Sequence, residues 1–219
     1  MTITLYGSSL SPFVRKVRIV LAEKGLDYTL DQVNVFNPPD WFLAISPLKR
    51  IPVLKDGHAT LPDSSAICGY LEKRSPDPAL YPRVPFDFGR ALWFEEYADS
   101  EFAGAIGLGC FRPVVVSRLM GKEPDHAAAR KTCEERLPRY LAYLEGEITG
   151  RTHFVGEALS IADIAVASQL VNLRHTGYMA AAGTYPSLTA HFQRMLARPS
   201  FAACLAEEQA LLSKFGVTA

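Results

Sequence analysis

A chain of 219 residues, 48% hydrophobic and 21% charged, has ordinary globular composition and is long enough for one large domain or two small ones. Lysine plus arginine (23) balances aspartate plus glutamate (23). This argues against nucleic acid or an anionic membrane as the main partner, because both reward a basic excess.

The segment Met1–Tyr6 lacks the charged head and long apolar run of a signal peptide. No stretch reaches the ~20 continuous apolar residues of a spanning helix. Cys68, Cys110, Cys133 and Cys204 are scattered without the paired spacing of a zinc site, and read as small buried hydrophobes in a reducing cytosol.

Ile3–Tyr6 reads as a short strand and residues 7–10 as a loop. Ser11 is a good N-cap, Pro12 fits the first helical position, and Val14, Val17, Val20 and Leu21 recur at helical spacing up to a C-terminal Gly25. Arg15, Lys16, Arg18 and Glu23 fall largely on the other side of that helix, which predicts a solvated face. Tyr28–Val35 alternates apolar and polar residues and predicts a second strand. Asn37-Pro38-Pro39-Asp40 breaks it, and Trp41–Ile45 is a short helical turn or loop. Ile51–Leu54 is a compact apolar strand, Asp56-Gly57 a hairpin signal, and Ala59–Leu61 the returning strand. A helix starts near Asp63-Ser64 and runs to about Arg74. Residues 1–75 thus form an α+β domain.

Four prolines between Ser75 and Phe86 (Pro76, Pro78, Pro82, Pro85) prevent a continuous helix or strand and mark residues 76–86 as a linker. Beyond it only helical patterns occur, at 87–103, 127–148, 160–174, 187–197 and 200–213. Residues 87–219 are therefore expected to form an all-helical domain. Ser160-Ile161-Ala162-Asp163 is a capping box, with Leu159 and Ile164 placed as a hydrophobic staple. Its role is folding, and replacing Asp163 is expected to cost ~1 kcal/mol or more.

Several segments resemble one family in order and over nearly the whole chain. Ser11-Pro12-Phe13 followed by Val17-Arg18-Ile19 resembles the catalytic-serine segment of serine-type glutathione transferases, above all the plant tau class. Arg50-Ile51-Pro52-Val53-Leu54 resembles the strand that carries the family's cis-proline, and Asp63-Ser64-Ser65-Ala66-Ile67 its Glu/Gln-Ser-x-Ala-Ile turn. Phe154–Asp163 resembles its C-terminal-domain signature, and Tyr185–Leu188 and Ala197–Pro199 its last helices.

The resemblance implies a thioredoxin-like N-terminal domain, β-α-β-β-β-α around a mixed four-stranded sheet, and a helical-bundle C-terminal domain. It implies a cytoplasmic homodimeric enzyme that uses glutathione as co-substrate, with no metal, and joins its sulfur to a small hydrophobic electrophile. A glutathione-dependent isomerase or peroxidase, or a transferase-fold binding module without turnover, are the alternatives.

The chemical task is to hold a thiol of pKa ~8.5 as a thiolate. Lowering it by about two units takes ~2.7 kcal/mol of preference for the anion. A hydroxyl hydrogen bond to a charged acceptor contributes ~1.5–3 kcal/mol, and a helix N-terminus a few tenths to ~2 kcal/mol. Ser11 combines the two devices, whereas its structural role alone would be capping. Ser8, Ser9 and Tyr6 are rival hydroxyls. Ser8-Ser9 resembles the Ser-Ser-Cys opening of the zeta isomerase class, but Leu10 stands where that class has cysteine. Serine at position 11 likewise offers no nucleophilic sulfur for a thiol transferase.

By resemblance, Ile51 pairs its backbone with the cysteinyl unit of glutathione, Asp63 and Ser64 hold the γ-glutamyl ammonium and carboxylate, and Lys49 and Arg50 meet the glycine carboxylate. Read locally, Asp63 is an N-cap and Lys49 and Arg50 are surface charges. The second substrate is expected between the domains, against Trp93, Phe94, Tyr97, Phe102, Phe111, Arg112 and Val115.

Overall fold

The computed structural model of the protein describes residues 2–179 and 183–217. Met1 and residues 218–219, the outermost positions of the two expected domains, lie outside the described residues. The chain divides into two units, Met1–Tyr81 and Pro82–Ala219.

The first unit runs β1 (Ile3–Gly7), α1 (Pro12–Glu23), β2 (Tyr28–Gln32), α2 (Asp40–Ile45), β3 (Val53–Asp56), β4 (Ala59–Pro62) and α3 (Ser64–Arg74). The sheet order is β2-β1-β3-β4, with β1 and β2 parallel and the other pairs antiparallel. This is the expected mixed four-stranded sheet. Strand β1 buries Ile3, Leu5 and Gly7, while the edge strands β2 and β4 have no fully buried residue. Strand β2 stops at Gln32 and not at Val35. Val33 still donates to the Gly7 carbonyl at 3.0 Å, then turns into a small core with Phe42 and Val53.

Helix α1 overturns the expectation of a solvated face. Arg15 and Lys16 are fully buried and Arg18 is 4% exposed. Residues Val14–Leu21 are covered on every side, so the apolar period marks only one of two buried faces. The charged stripe takes internal partners: Lys16 Nζ donates to Ser65 Oγ at 3.0 Å and Arg18 Nε to the Tyr28 hydroxyl at 2.7 Å. At the helix end, buried Lys24 meets Glu72 at 2.8 Å and donates to the carbonyls of Ser75 and Pro78, fastening α1 to the end of α3.

The second unit opens with α4 (Pro85–Tyr97), which starts earlier than residue 87 because Pro85 fills a first-turn position where its missing N–H costs nothing. The helix continues in wide π-type turns through Ala98–Phe102 and Gly104–Val116, with a 42° bend between the two. Glycines 104, 107 and 109 and Pro113 hide this second stretch from propensity-based reading. The rest is α5 (Ser117–Leu119), α6 (His126–Glu135), α7 (Leu137–Ile148), α8 (Ile161–His175), α9 (Pro186–Leu196) and α10 (Pro199–Ser213). The helix expected over 127–148 is broken at Arg136, because Pro138 has no N–H to bond back to the preceding turn and its ring crowds the carbonyl there, so it sits in the first turn of a new helix. Helix α8 is buried almost throughout and forms the axis of the unit. Among the expected lining residues, Phe94, Phe102, Phe111 and Val115 belong to the core, while Trp93 and Arg112 are exposed. Among the described residues no single helix is long and apolar enough to cross a membrane.

Candidate functional site

Strand register brings three distant segments to one end of the first unit's sheet. Tyr6 pairs with Val53 across β1 and β3, and Val53 pairs with Pro62 across β3 and β4. The chain leaves β1 for Ser11 just beyond Tyr6, enters β3 through Ile51-Pro52 just before Val53, and starts α3 at Asp63-Ser64 just after Pro62. An antiparallel β1-β3-β4 arrangement forces this convergence, because alternate strand ends then share an edge.

Gly7 sets the distance between β1 and α1. A Cβ there would lie 2.5 Å from Val14 Cγ2, so only glycine lets the helix start seat so close to the strand. The turn Ser8–Ser11 closes with the Ser11 N–H donating to the Ser8 carbonyl at 3.0 Å. Ser11 is the N-cap of α1, with extended backbone and Pro12 next. Its Oγ accepts the Val14 N–H at 3.4 Å, a long contact, and the side chain is partly exposed. Ser9 is 4% exposed. Tyr6 is half-buried with its ring 5.1 Å from that of Trp41, and packs on the Val33–Phe42–Val53 core.

Before β3, one buried serine that sequence reading passed over organises the loop. Ser46 Oγ donates to the Arg50 carbonyl at 2.7 Å and accepts the Arg50 N–H at 3.0 Å. Lys49 sits between them with φ +56°, and the Lys49 and Arg50 side chains are exposed. The only hint in the sequence is a lone serine ending an apolar turn before Pro47. The Ile51-Pro52 bond is cis. Ile51 packs on the same small core and lies outside β3, which starts at Val53 and not at Ile51.

Asp63 has φ +76°, a conformation that costs a non-glycine residue ~1–3 kcal/mol and that clusters at ligand sites. Its Oδ1 caps α3, accepting the N–H groups of Ser65 at 2.9 Å and Ala66 at 3.1 Å. The local capping role is therefore real, and one carboxylate oxygen is used by it. Ser64, the first residue of α3, is buried at 4% exposure. Among the described residues no group of three or more His, Cys, Asp or Glu side chains is placed to hold a metal ion.

Comparison with known proteins decides the family. The glutathione S-transferase N-terminal domain matches residues 5–79 and the glutathione S-transferase C-terminal domain matches residues 111–208. The chain belongs to the glutathione S-transferase family. It is 31% identical to glutathione S-transferase 4 of Zea mays over 205 residues, 90% of this chain and 89% of the relative. It is 25% identical to a stringent starvation protein A homolog of Haemophilus ducreyi, over 90% of this chain and 87% of that one. A glutathione S-transferase from Methylobacterium radiotolerans, solved in complex with glutathione sulfonate, superposes with a TM-score of 0.77 at 26% identity, over 93% of this chain and 94% of that one.

In this member of the family the C-terminal-domain signature segment is a folding device built more heavily than a simple cap. Asp163, fully buried, accepts the Ser160 N–H at 2.9 Å and the Ser160 hydroxyl at 3.1 Å on Oδ2. Its Oδ1 accepts the Phe154 N–H at 3.0 Å and His191 Nε2–H at 2.8 Å, with His153 Nδ1 3.5 Å from Oδ2. Burial alone pushes this carboxyl's pKa up, but the nearby His153 and the hydrogen bonds from His191 and Phe154 outweigh it and hold the carboxyl well below its usual range.

Proposed function

We propose that this chain is a glutathione transferase in which Ser11 holds the glutathione thiol as a thiolate for attack on a hydrophobic electrophile. One observation carries the reading: the register Tyr6–Val53–Pro62 sets Ser11, Ile51 and Asp63-Ser64 at one sheet edge. Ser11 is favoured over Ser9, which is buried, and over Tyr6, whose ring packs on a small core, by its partial exposure, and over the equally exposed Ser8 by its place at the helix start.

The Ser11 O–H donates to the sulfur, and the α1 N-terminus adds its positive end at the same point. Together they supply about the ~2.7 kcal/mol that a two-unit lowering of the thiol pKa requires. Ile51 offers its backbone to the cysteinyl unit as a short antiparallel pairing. Ser64, at the positive end of α3, takes the γ-glutamyl carboxylate, and the second oxygen of Asp63 takes its ammonium. Lys49 and Arg50 meet the glycine carboxylate. The enzyme acts as a homodimer in a reducing compartment such as the cytosol, in keeping with four cysteines that are not joined in disulfides.

A second reading is a binding module without turnover, since one relative that aligns over nine-tenths of the chain bears a name, stringent starvation protein A homolog, that states no transferase activity. Immobilised glutathione separates the two at the first step, since a folded sample that is not retained sinks the transferase reading. If it is retained, Ser11→Ala is expected to lose the thiolate absorbance of bound glutathione and most of the conjugation rate. Unchanged activity would remove Ser11 from its role. Assays with peroxide and with isomerisable substrates then sort conjugation from the alternative uses of the same thiolate.

A further inference from the structure

The helical unit holds a close thiol pair that the glutathione site does not use. Cys110, in the wide-turned stretch Gly104–Val116, is fully buried, and Cys133, near the end of α6, is partly exposed. Their sulfurs lie 3.6 Å apart, and the Cys110 sulfur is 3.9 Å from the Ala129 carbonyl. Twenty-three positions separate the two in sequence, so no local motif announces the pair.

The backbones approach closely at the same level. Gly109 precedes Cys110 and Thr132 precedes Cys133. A Cβ on Gly109 would lie 2.5 Å from Thr132 Cγ2 and 2.7 Å from Thr132 Oγ1. Such an approach suits a disulfide, whose Cα atoms stand ~4.4–6.8 Å apart. The two thiols are also unequal. The contact with Cys133 raises the pKa of Cys110, as burial also does. The same contact lowers that of Cys133 against the opposing effects of burial and Glu134. The more exposed sulfur is thus also the better thiolate.

We propose that Cys133 and Cys110 form a redox dithiol, with Cys133 attacking a low-molecular-weight disulfide and Cys110 resolving the mixed disulfide into an intramolecular bond. In the first step the Cys133 thiolate bonds to one sulfur of the small disulfide. The small S–S bond breaks, and the departing thiolate takes up the proton that Cys133 gave to water. In the second, Cys110 loses its proton and attacks the Cys133 sulfur, expelling the remaining small thiolate, which is protonated in turn. Two protein thiols are oxidised by two electrons and one disulfide is reduced to two thiols. The sulfurs must close from 3.6 Å to ~2.05 Å. The adjustment falls to α6, a short element between the Gly121 turn, at φ +69°, and the break at Arg136, and to the Gly104–Val116 stretch against which it packs. The bond pins α6 to the stretch Gly104–Val116.

The test uses the full chain, reduced and folded, with bis(2-hydroxyethyl) disulfide as oxidant. That probe lacks every group glutathione would be recognised by, so the outcome is independent of the transferase reading. After denaturing alkylation and mass analysis, the wild type is expected to have lost two hydrogens. Cys110 and Cys133 should be protected from alkylation, with Cys68 and Cys204 alkylated. Cys110→Ala should accumulate one mercaptoethanol adduct on Cys133, and Cys133→Ala should leave Cys110 unmodified. The wild-type experiment decides even if a variant does not fold. Full alkylation of both cysteines in wild type shown to be folded by circular dichroism, or a wild-type adduct that persists on Cys133, overturns the proposal.

Discussion

Helices α1 and α8 both have a serine at the N-cap, and the two caps are built differently. At α8 the cap is saturated: Asp163 is fully buried and accepts four hydrogen bonds, two of them from Ser160. At α1 the cap is loose, with one contact of 3.4 Å to a partly exposed Ser11 hydroxyl that keeps its own proton to donate. A buried, fully partnered cap is fastened to the fold and has nothing left for a ligand. A half-open one contributes little to folding and leaves its O–H for chemistry. Sequence motifs of similar appearance therefore diverge in role through what surrounds them.

The largest effect expected from breaking this contrast is on Asp163. Asp163→Ala should lower unfolding free energy by ~3–5 kcal/mol, because it strands buried donors including His191. A denaturant midpoint measures this, and an unchanged midpoint would show the α8 start to be as dispensable to folding as the α1 start. The same carboxylate sets an acid limit. Its pKa is depressed in the folded state, so the unfolded chain takes the proton first. Its contribution is complete above the unfolded value of ~3.9 and declines as pH falls below it, until the folded carboxyl is itself protonated. Asp163→Asn should flatten that acid limb of a stability–pH curve.

Ser11→Ala should do the reverse, cutting the conjugation rate by about 10- to 100-fold while costing ~1 kcal/mol of stability or less. Steady-state rates and a thermal melt on one sample check both halves. Gly7→Ala should merge the two kinds of effect. Its Cβ must displace Val14, costing ~1–3 kcal/mol by overpacking and moving the helix start, so both stability and glutathione binding should fall. Asp63→Gly is the mildest. Relief of the +76° backbone angle offsets the lost cap, so stability should change by under ~0.5 kcal/mol. The KM for glutathione should rise about tenfold through loss of one charged partner.

Much of the first unit was readable in advance. The short Ile3–Tyr6 strand, the Ser11-Pro12 start, the Asp56-Gly57 hairpin and the Asp63 cap are local patterns with local causes, and each element formed within a few residues of its expected span. Helix α1 was misread on its charged side because periodicity reports which residues are apolar and is silent on whether a second face is covered. The stretch Gly104–Val116 was missed because glycine and proline argue against a helix that neighbouring packing nonetheless imposes.

What the amino-acid order determined by itself was the sequence of elements and the residue types with chemistry to offer. It could not show that Ser46 holds Arg50 in place, that Asp163 gathers donors from Phe154 and His191, or that Cys110 meets Cys133. Each joins positions that only the fold makes neighbours. Hydrogen bonds and sulfur contacts act over a few ångströms of space, whereas a sequence pattern reports separation along the chain, and only the tertiary structure converts one into the other.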